Sequence, residues 1–305
     1  MIIFLSMSFL FSGSPPSLSF PRLSYAEAMS SYGIDKPDTR FDMKFHDITT
    51  FARQNSLFGS LTANDDSSVL AFVVPNGASH CRTAFEKQSK VILENELRHK
   101  PRNKIRLGIT KIPKDENNKF SGLKIPQNVQ SEFIDRLNLK PDDAVIICAG
   151  EDKENCQKGL GKVRLFTADY LEENGVKMRS DSFNFLWIVD FPLFVKSDKG
   201  QWESAHHPFT APVGEDLHLL SQPERLGEVR GQHYDLVLNG AEVGGGSIRV
   251  HNASMQKRIL DLLRIDDVEL RHLLEALDSG CPPHGGIALG PFFLSNIDSI
   301  FSLTN

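Results

Sequence analysis

The spacing of apolar and polar positions changes character along the chain and marks out three regions. At the start, Ser24 is followed three residues later by Glu27, the pattern of a capping box. Gly33 stands where a helix C-cap glycine belongs, so "RLSYAEAMSSYG" predicts a helix over Tyr25–Tyr32. The polar stretch "IDKPDTRFD" then reads as a turn and loop. From about Asn64 to Met178 the pattern changes: "SVLAFVVP" and "KIRLGITKI" read as strands and "AVIICAG" as a buried one. Between them, "TAFEKQSKVILENELRH" and "NVQSEFIDRLNL" have helical spacing, and the alternation predicts a compact α+β module. The third region runs from "FLWIVDFPLF" to Gly290. It is strand-rich, with a helical interruption over Met255–Gly280.

Composition narrows the class without naming a function. Of 305 residues, 40% are apolar and 24% charged, which suits a globular protein with a sizeable core and, by length, two domains. Acidic residues (39) outnumber basic ones (34), so overall charge does not drive binding to nucleic acid. A local basic run, Arg98, Lys100, Arg102, Lys104 and Arg106, is the place where RNA contact is conceivable, although such runs are commonly solvated loops. Cys81, Cys148, Cys156 and Cys281 form no C-x-x-C pair, which argues against a zinc site or disulfide framework and for a reducing compartment. No apolar run reaches the roughly 18 residues of a membrane span. The opening "MIIFLSMSFLFSGSPPSLSF" lacks a basic start, a small-residue cleavage site and the arginines of a transit peptide. It is expected to be an irregular leader.

Candidate chemistry gathers in "YDLVLNGAEVGGGSIRVH". Asn239-Gly240 between apolar-rich runs predicts a two-residue hairpin turn. Counting outward, Leu238 faces Ala241, Val237 faces Glu242 and Asp235 faces Gly244. Asp235, Glu242, Gly244 and Gly246 then share one side of a regular ladder. Two carboxylates so placed, roughly 6–8 Å apart over a glycine floor, suit a Mg²⁺–nucleotide site. Arg249 falls on the opposite face of a regular strand, and a bulge at the glycines would bring it round to grip a carboxylate. Spacing alone equally admits a structural hairpin with solvated charges. Further on, "ESAHHPFTAP" sets His206 and His207 in a loop, without the H-x-x-x-H spacing of a metal pair. "CPPHGGIALG" is a glycine-containing approach to an expected helix.

Taken together, "LSYAEAMSSYGIDKPDTRFD", "ESAHHPFTAP", "NGAEVGGGSIRVHN" and "CPPHGGIALG" resemble the aspartyl-tRNA synthetases of the bacterial and mitochondrial type, class II aminoacyl-tRNA synthetases. The resemblance covers about Pro21 to Gly290. It implies an α+β fold: a partial class II antiparallel sheet with flanking helices over residues 21–62 and 179–290, and an α+β, ferredoxin-like insertion domain over 63–178. Residues 1–20 and 291–305 then form the leader and a tail outside the family pattern. The implied reaction joins aspartate to the α-phosphorus of ATP and passes the aspartyl group to tRNA. Carried over, Arg249 and His206 bind aspartate, Glu242 and Gly290 contact ATP, and Asp235 and Glu242 hold Mg²⁺. His207 receives no separate role.

The pattern also breaks. Nothing matches the family's anticodon-binding barrel, motif 1 with its dimer interface, or motif 2 with its α-phosphate arginine. "GGIALG" continues as "PFFLSNIDSIFSLTN", without the motif 3 arginine. No catalytic group of the family is therefore intact, and a chain inactive on its own, with exposed sheet edges, is expected. The alternatives are a non-catalytic regulatory isoform acting through the insertion domain, or a tRNA-free ligase on the same scaffold, which the insertion argues against. The family implies a homodimer and the mitochondrial matrix, while the missing transit signal also fits the cytosol.

Overall fold

The structure, a computed structural model, describes residues 19–97, 104–114, 119–197 and 199–290. In chain order its first elements are β1 (Arg22–Ser24), α1 (Tyr25–Tyr32), β2 (His46–Asp47), α2 (Thr49–Gln54), β3 (Ser68–Val74), α3 (Thr83–Glu96), β4 (Ile105–Lys111) and β5 (Ser121–Gly122). They continue with α4 (Gln130–Leu137), β6 (Ala144–Gly150), α5 (Lys153–Glu173), β7 (Phe185–Pro192), β8 (Phe194–Lys196) and β9 (Trp202–Ser204). The last are β10 (Arg230–Leu238), β11 (Ala241–Ile248), α6 (Ala253–Leu263), α7 (Arg271–Asp278) and β12 (Gly285–Leu289). Two compact units result. One is Ala28–Ser182; the other joins the described residues up to Glu27 with the described residues from Phe183.

Helix α1 has the caps read from its sequence. The Ser24 N–H donates to Glu27 Oε2 at 2.8 Å, and the Glu27 N–H donates to Ser24 Oγ at 3.2 Å. Gly33, at φ 69°, ends the helix by donating to the Met29 carbonyl at 3.0 Å.

The Ala28–Ser182 unit is built on an antiparallel sheet ordered β2-β3-β6-β4-β5. Strand β6 lies between β3 and β4, with Leu70, Cys148 and Leu107 in register across them. Helix α3 links β3 to β4, so these strands form a split βαβ. In a ferredoxin-like sheet the edge beside the first strand goes to a strand that follows the second helix. Here β2, which precedes β3 in the chain, takes that edge, so only half of that topology is present. The unbroken apolar run of β6 has a direct cause: both faces are covered. Ile146 and Cys148 pack with Phe85 of α3 and Leu160 of α5, whereas Val145 and Ile147 pack with Phe51 of α2 and Phe133 of α4.

This unit begins well before residue 63. The fully buried Arg164 of α5 donates from Nε to the Met43 carbonyl, and from Nη2 to the carbonyls of Asp38, Phe41 and Asp42. Its guanidinium stacks 3.9 Å from the Phe41 ring centre. Arg179 holds Asp38 at 3.1 Å as well. These bonds, with the pairing of β2 on β3, tie residues 38–47 to the helical unit rather than to the other sheet. Of the basic run, Arg98, Lys100 and Arg102 lie outside the described residues. Lys104 is 3.9 Å from Glu151, and Arg106 is exposed on β4.

The other unit carries a sheet ordered β1-β7-β10-β11-β12, parallel only between β1 and β7. Phe20 stacks on Phe185 at 4.8 Å, so packing starts inside the expected leader, whose residues 1–18 lie outside the described ones. The helical stretch 255–280 is two helices, because Arg264 enters the left-handed region at φ 56° and ends α6. β12 forms the sheet's edge, with Ile287 and Leu289 46% and 45% exposed. The tail 291–305 lies outside the described residues. No helix among the described residues is long and apolar enough to cross a membrane.

Candidate active site

Strands β10 and β11 meet at Asn239-Gly240, both at positive φ (52° and 86°), the requirement of a type I′ hairpin turn. Leu238 pairs with Ala241 and Val237 with Glu242, as counted from the sequence. The ladder then slips: Leu236 pairs with Gly244, leaving Val243 as the extra residue of a bulge. Val243 turns to the apolar face and packs on Leu236. Asp235 consequently faces Gly245 rather than Gly244. The expected floor of Gly244 and Gly246 is corrected to Gly245 alone. A Cβ at Gly245 would lie 2.8 Å from Asp235 Oδ1 and 3.0 Å from Glu242 Oε1. Both carboxylates therefore converge on one bare stretch of main chain. Asp235 is 5% exposed, and Glu242 stands out to solvent.

Beyond the bulge, alternation puts Gly245, Ser247 and Arg249 on the carboxylate face. Contacts agree with that count. Arg249 bridges to Thr210, and its guanidinium lies against the ring of His207, Nη1 being 3.1 Å from Nδ1 and also touching Nε2. His233, two residues before Asp235 and opposite Ser247, is buried on the same side. Its ring stacks on His206 at 4.1 Å, and its Nε2 is 2.9 Å from Thr210 Oγ1. His206 also packs edge-on to Phe191 at 5.2 Å. The structure thus sets His207, not His206, against Arg249. Burial, reinforced by the neighbouring histidines and Arg249, pushes the His233 imidazole down to about 3. Burial and then Arg249 lower His207 too, so both rings are neutral at pH 7. His233 Nδ1 and Ser247 Oγ are buried without a hydrogen-bond partner among the described residues.

A family model, tRNA synthetases class II (D, K and N), matches residues 6–291. The chain belongs to the class II tRNA synthetases. Its relatives sharpen the picture. The mitochondrial aspartate–tRNA ligase of Mus musculus is 42% identical over 278 residues, 89% of this chain and 41% of that protein. The Dictyostelium discoideum mitochondrial ligase is 39% identical over 89% of this chain and 41% of its own length. The aspartate–tRNA(Asp/Asn) ligase of Campylobacter concisus is 37% identical, over 89% of this chain and 45% of its own. The chain therefore spans less than half the length of these relatives. Among solved structures, asparaginyl-tRNA synthetase from Pyrococcus horikoshii is similar with a TM-score of 0.29 and 16% identity, covering 47% of this chain and 32% of that one. Aspartyl-tRNA synthetase from Entamoeba histolytica gives a TM-score of 0.28 at 14% identity, covering 71% of this chain and 48% of that one.

In this class II synthetase chain the carboxylate pair suits Mg²⁺. Magnesium is bound by one or two protein carboxylates, with water and substrate phosphates filling the remaining positions. Among the described residues no group of three or more His, Cys, Asp or Glu could hold a metal, so Asp235 and Glu242 do not belong to a closed protein cage. Gly290 sits beside the bulge, donating its N–H to the Val243 carbonyl at 3.1 Å. Thr210, His233 and Ser247 escaped the sequence reading. His233 carried a signal, since it lies two residues from Asp235 on a strand and must share its face.

Proposed function

We propose that this chain carries the Mg²⁺–ATP and aspartate binding groups of an aspartate–tRNA ligase, an enzyme that activates aspartate and transfers it to tRNA, while the unmatched arginines of motifs 2 and 3 leave it inactive on its own. The mitochondrial relatives make that compartment the proposed location. The observation that carries the reading is the convergence of Asp235 and Glu242 over Gly245, with Arg249 on the same face. Magnesium held there would draw off negative charge from the phosphates during attack at the α-phosphorus. Asp235, buried on its strand, would hold the metal from the sheet side, and Glu242, at the rim, would hold it from the solvent side. Arg249 is a guanidinium able to make two parallel hydrogen bonds to a side-chain carboxylate, which anchors aspartate for in-line attack. The bare main chain at Gly245 leaves room for the phosphates to approach the sheet.

The test is calorimetric titration of the purified chain with ATP, with and without Mg²⁺. Binding should require Mg²⁺, and Asp235→Asn and Glu242→Gln should each weaken it about tenfold or more. Magnesium-independent binding, or variants that match the parent, would overturn the reading.

A further inference from the structure

Strand β12 ends the site-bearing sheet, and among the described residues no strand pairs with its outer edge. Two main-chain bonds fix which groups that edge offers. The Arg249 N–H donates to the His284 carbonyl at 3.0 Å, and the Gly290 N–H donates to the Val243 carbonyl at 3.1 Å. His284 and Gly290 therefore turn their main chain toward β11. Counting by twos between them, Gly286 and Ala288 do the same, while Gly285, Ile287 and Leu289 point N–H and C=O outward. An open row of this kind is a template for a further strand. The same three residues share the sheet face away from the carboxylates. Ile287 stands opposite Gly246, Leu289 opposite Gly244, and Gly285 opposite Ile248. The apolar side chains there, Ile248, Ile287 and Leu289, are 38%, 46% and 45% exposed.

We infer that β12 pairs antiparallel with β12 of a second copy of this chain, about a two-fold axis through Ile287. In that register Ile287 meets the Ile287 of the second copy, and each Leu289 meets a Gly285. All three outward residues then exchange both main-chain bonds with their counterparts. Side-chain volumes fit as well. Each Leu289 passes over a residue without a side chain and reaches Ile248, whose Cδ1 lies 3.0 Å from where a Cβ of Gly285 would be. The sequence closes off the neighbouring registers. Moving Ile287 opposite Gly285 would bring Leu289 to Pro283, and moving it opposite Leu289 would bring Gly285 to Pro291. Neither proline has an N–H to give. A shift of one residue would set outward-facing groups against inward-facing ones. The contact uses the same edge on both copies, so it closes at two. It is a different surface from the motif 1 interface that the family implies.

Analytical ultracentrifugation of the 305-residue chain over a range of concentrations tests this. The parent should form a dimer that does not grow further. Ile287→Lys and Ile287→Glu each set like charges face to face across the axis, and each should raise the dissociation constant about tenfold. Mixed in equal amounts, the two variants should recover most of the affinity as a heterodimer, because opposite charges then meet. Leu289→Lys and Leu289→Glu should also weaken the dimer, yet mixing them should recover little, since each faces glycine. These positions are exposed, so circular dichroism of all four variants should match the parent. A parent that stays monomeric at every concentration would overturn the pairing and leave the edge to residues 291–305 or to another protein. A parent that assembles beyond two would overturn it too, as would recovery by the Leu289 mixture and not by the Ile287 mixture.

Discussion

At Gly245 the backbone is outside the left-handed region, so alanine is permitted there by φ and its Cβ meets carboxylate oxygens of Asp235 and Glu242 rather than main chain. Its neighbour differs: a Cβ at Gly246 would lie 2.0 Å from the Gly286 carbonyl oxygen of β12. The two substitutions should therefore separate binding from stability. Gly245→Ala should leave the urea midpoint close to that of the parent, since glycine weakens strands anyway, while Mg²⁺–ATP affinity falls about tenfold or more. Gly246→Ala should instead strip β12 from the sheet edge and lower stability by about 1–3 kcal/mol. Equal effects on both properties at both positions would refute the bulge-centred geometry. The string Gly244-Gly245-Gly246 gave no hint of which glycine faces the carboxylates. A bulge at Val243 shifts every later side chain by one place, and a one-residue slip reverses the faces. The hairpin was legible because Asn-Gly demands one turn type. The slip was not, because the reason for it lies in Val243 reaching the apolar face.

Helix α5 shows the same limit for a whole element. It has 21 residues and went unread, because its buried positions run round most of its circumference and Gly159 and Gly161 interrupt it. Those glycines are explained only by tertiary contacts. A Cβ at Gly159 would meet Leu93 Cδ1 at 2.4 Å, and one at Gly161 would meet the Tyr32 carbonyl at 2.9 Å. By contrast α1, capped by Ser24, Glu27 and Gly33, was readable residue for residue because its caps are local. α5 also anchors the segment before β2 through Arg164, whose buried charge is pushed down to about 10 by desolvation. Arg164→Leu would leave the carbonyls of Asp38, Phe41, Asp42 and Met43 without their donor. A loss of about 3–5 kcal/mol in the Ala28–Ser182 unit is expected in urea denaturation, with Arg164→Lys intermediate because a lysine cannot reach all four carbonyls at once. An unchanged midpoint for the leucine variant would mean that residues 38–43 are held by Arg179 and β2 alone.

Across the molecule, the two units carry different acid-sensitive groups. In the sheet that bears the site, folded His233 resists protonation down to a pH of about 3, whereas the unfolded chain takes that proton near 6.5. Unfolding therefore binds a proton throughout that window, and stability falls as pH falls, by up to about 1.4 kcal/mol per pH unit. At pH 5 the loss is about 2 kcal/mol relative to pH 7. His207, lowered in the same sense, adds to it. In the Ala28–Ser182 unit the displaced carboxylates are Asp38 and Glu172. Both are lowered from values of 3.8 and 4.5, so their contribution is retained until the pH drops below that range. Between pH 6.5 and 4.5 the site-bearing unit should weaken while the α+β unit holds. Tryptophan fluorescence follows the first unit, since Trp187 and Trp202 both lie in it, and far-ultraviolet circular dichroism is dominated by the helices of the second. The two urea midpoints should therefore separate on going from pH 7 to pH 5, the fluorescence midpoint moving to lower urea. His233→Gln should remove most of that movement, whatever it does to stability at pH 7. A fluorescence midpoint that stays level from pH 7 to pH 5 would show that His233 is not held neutral in the folded state.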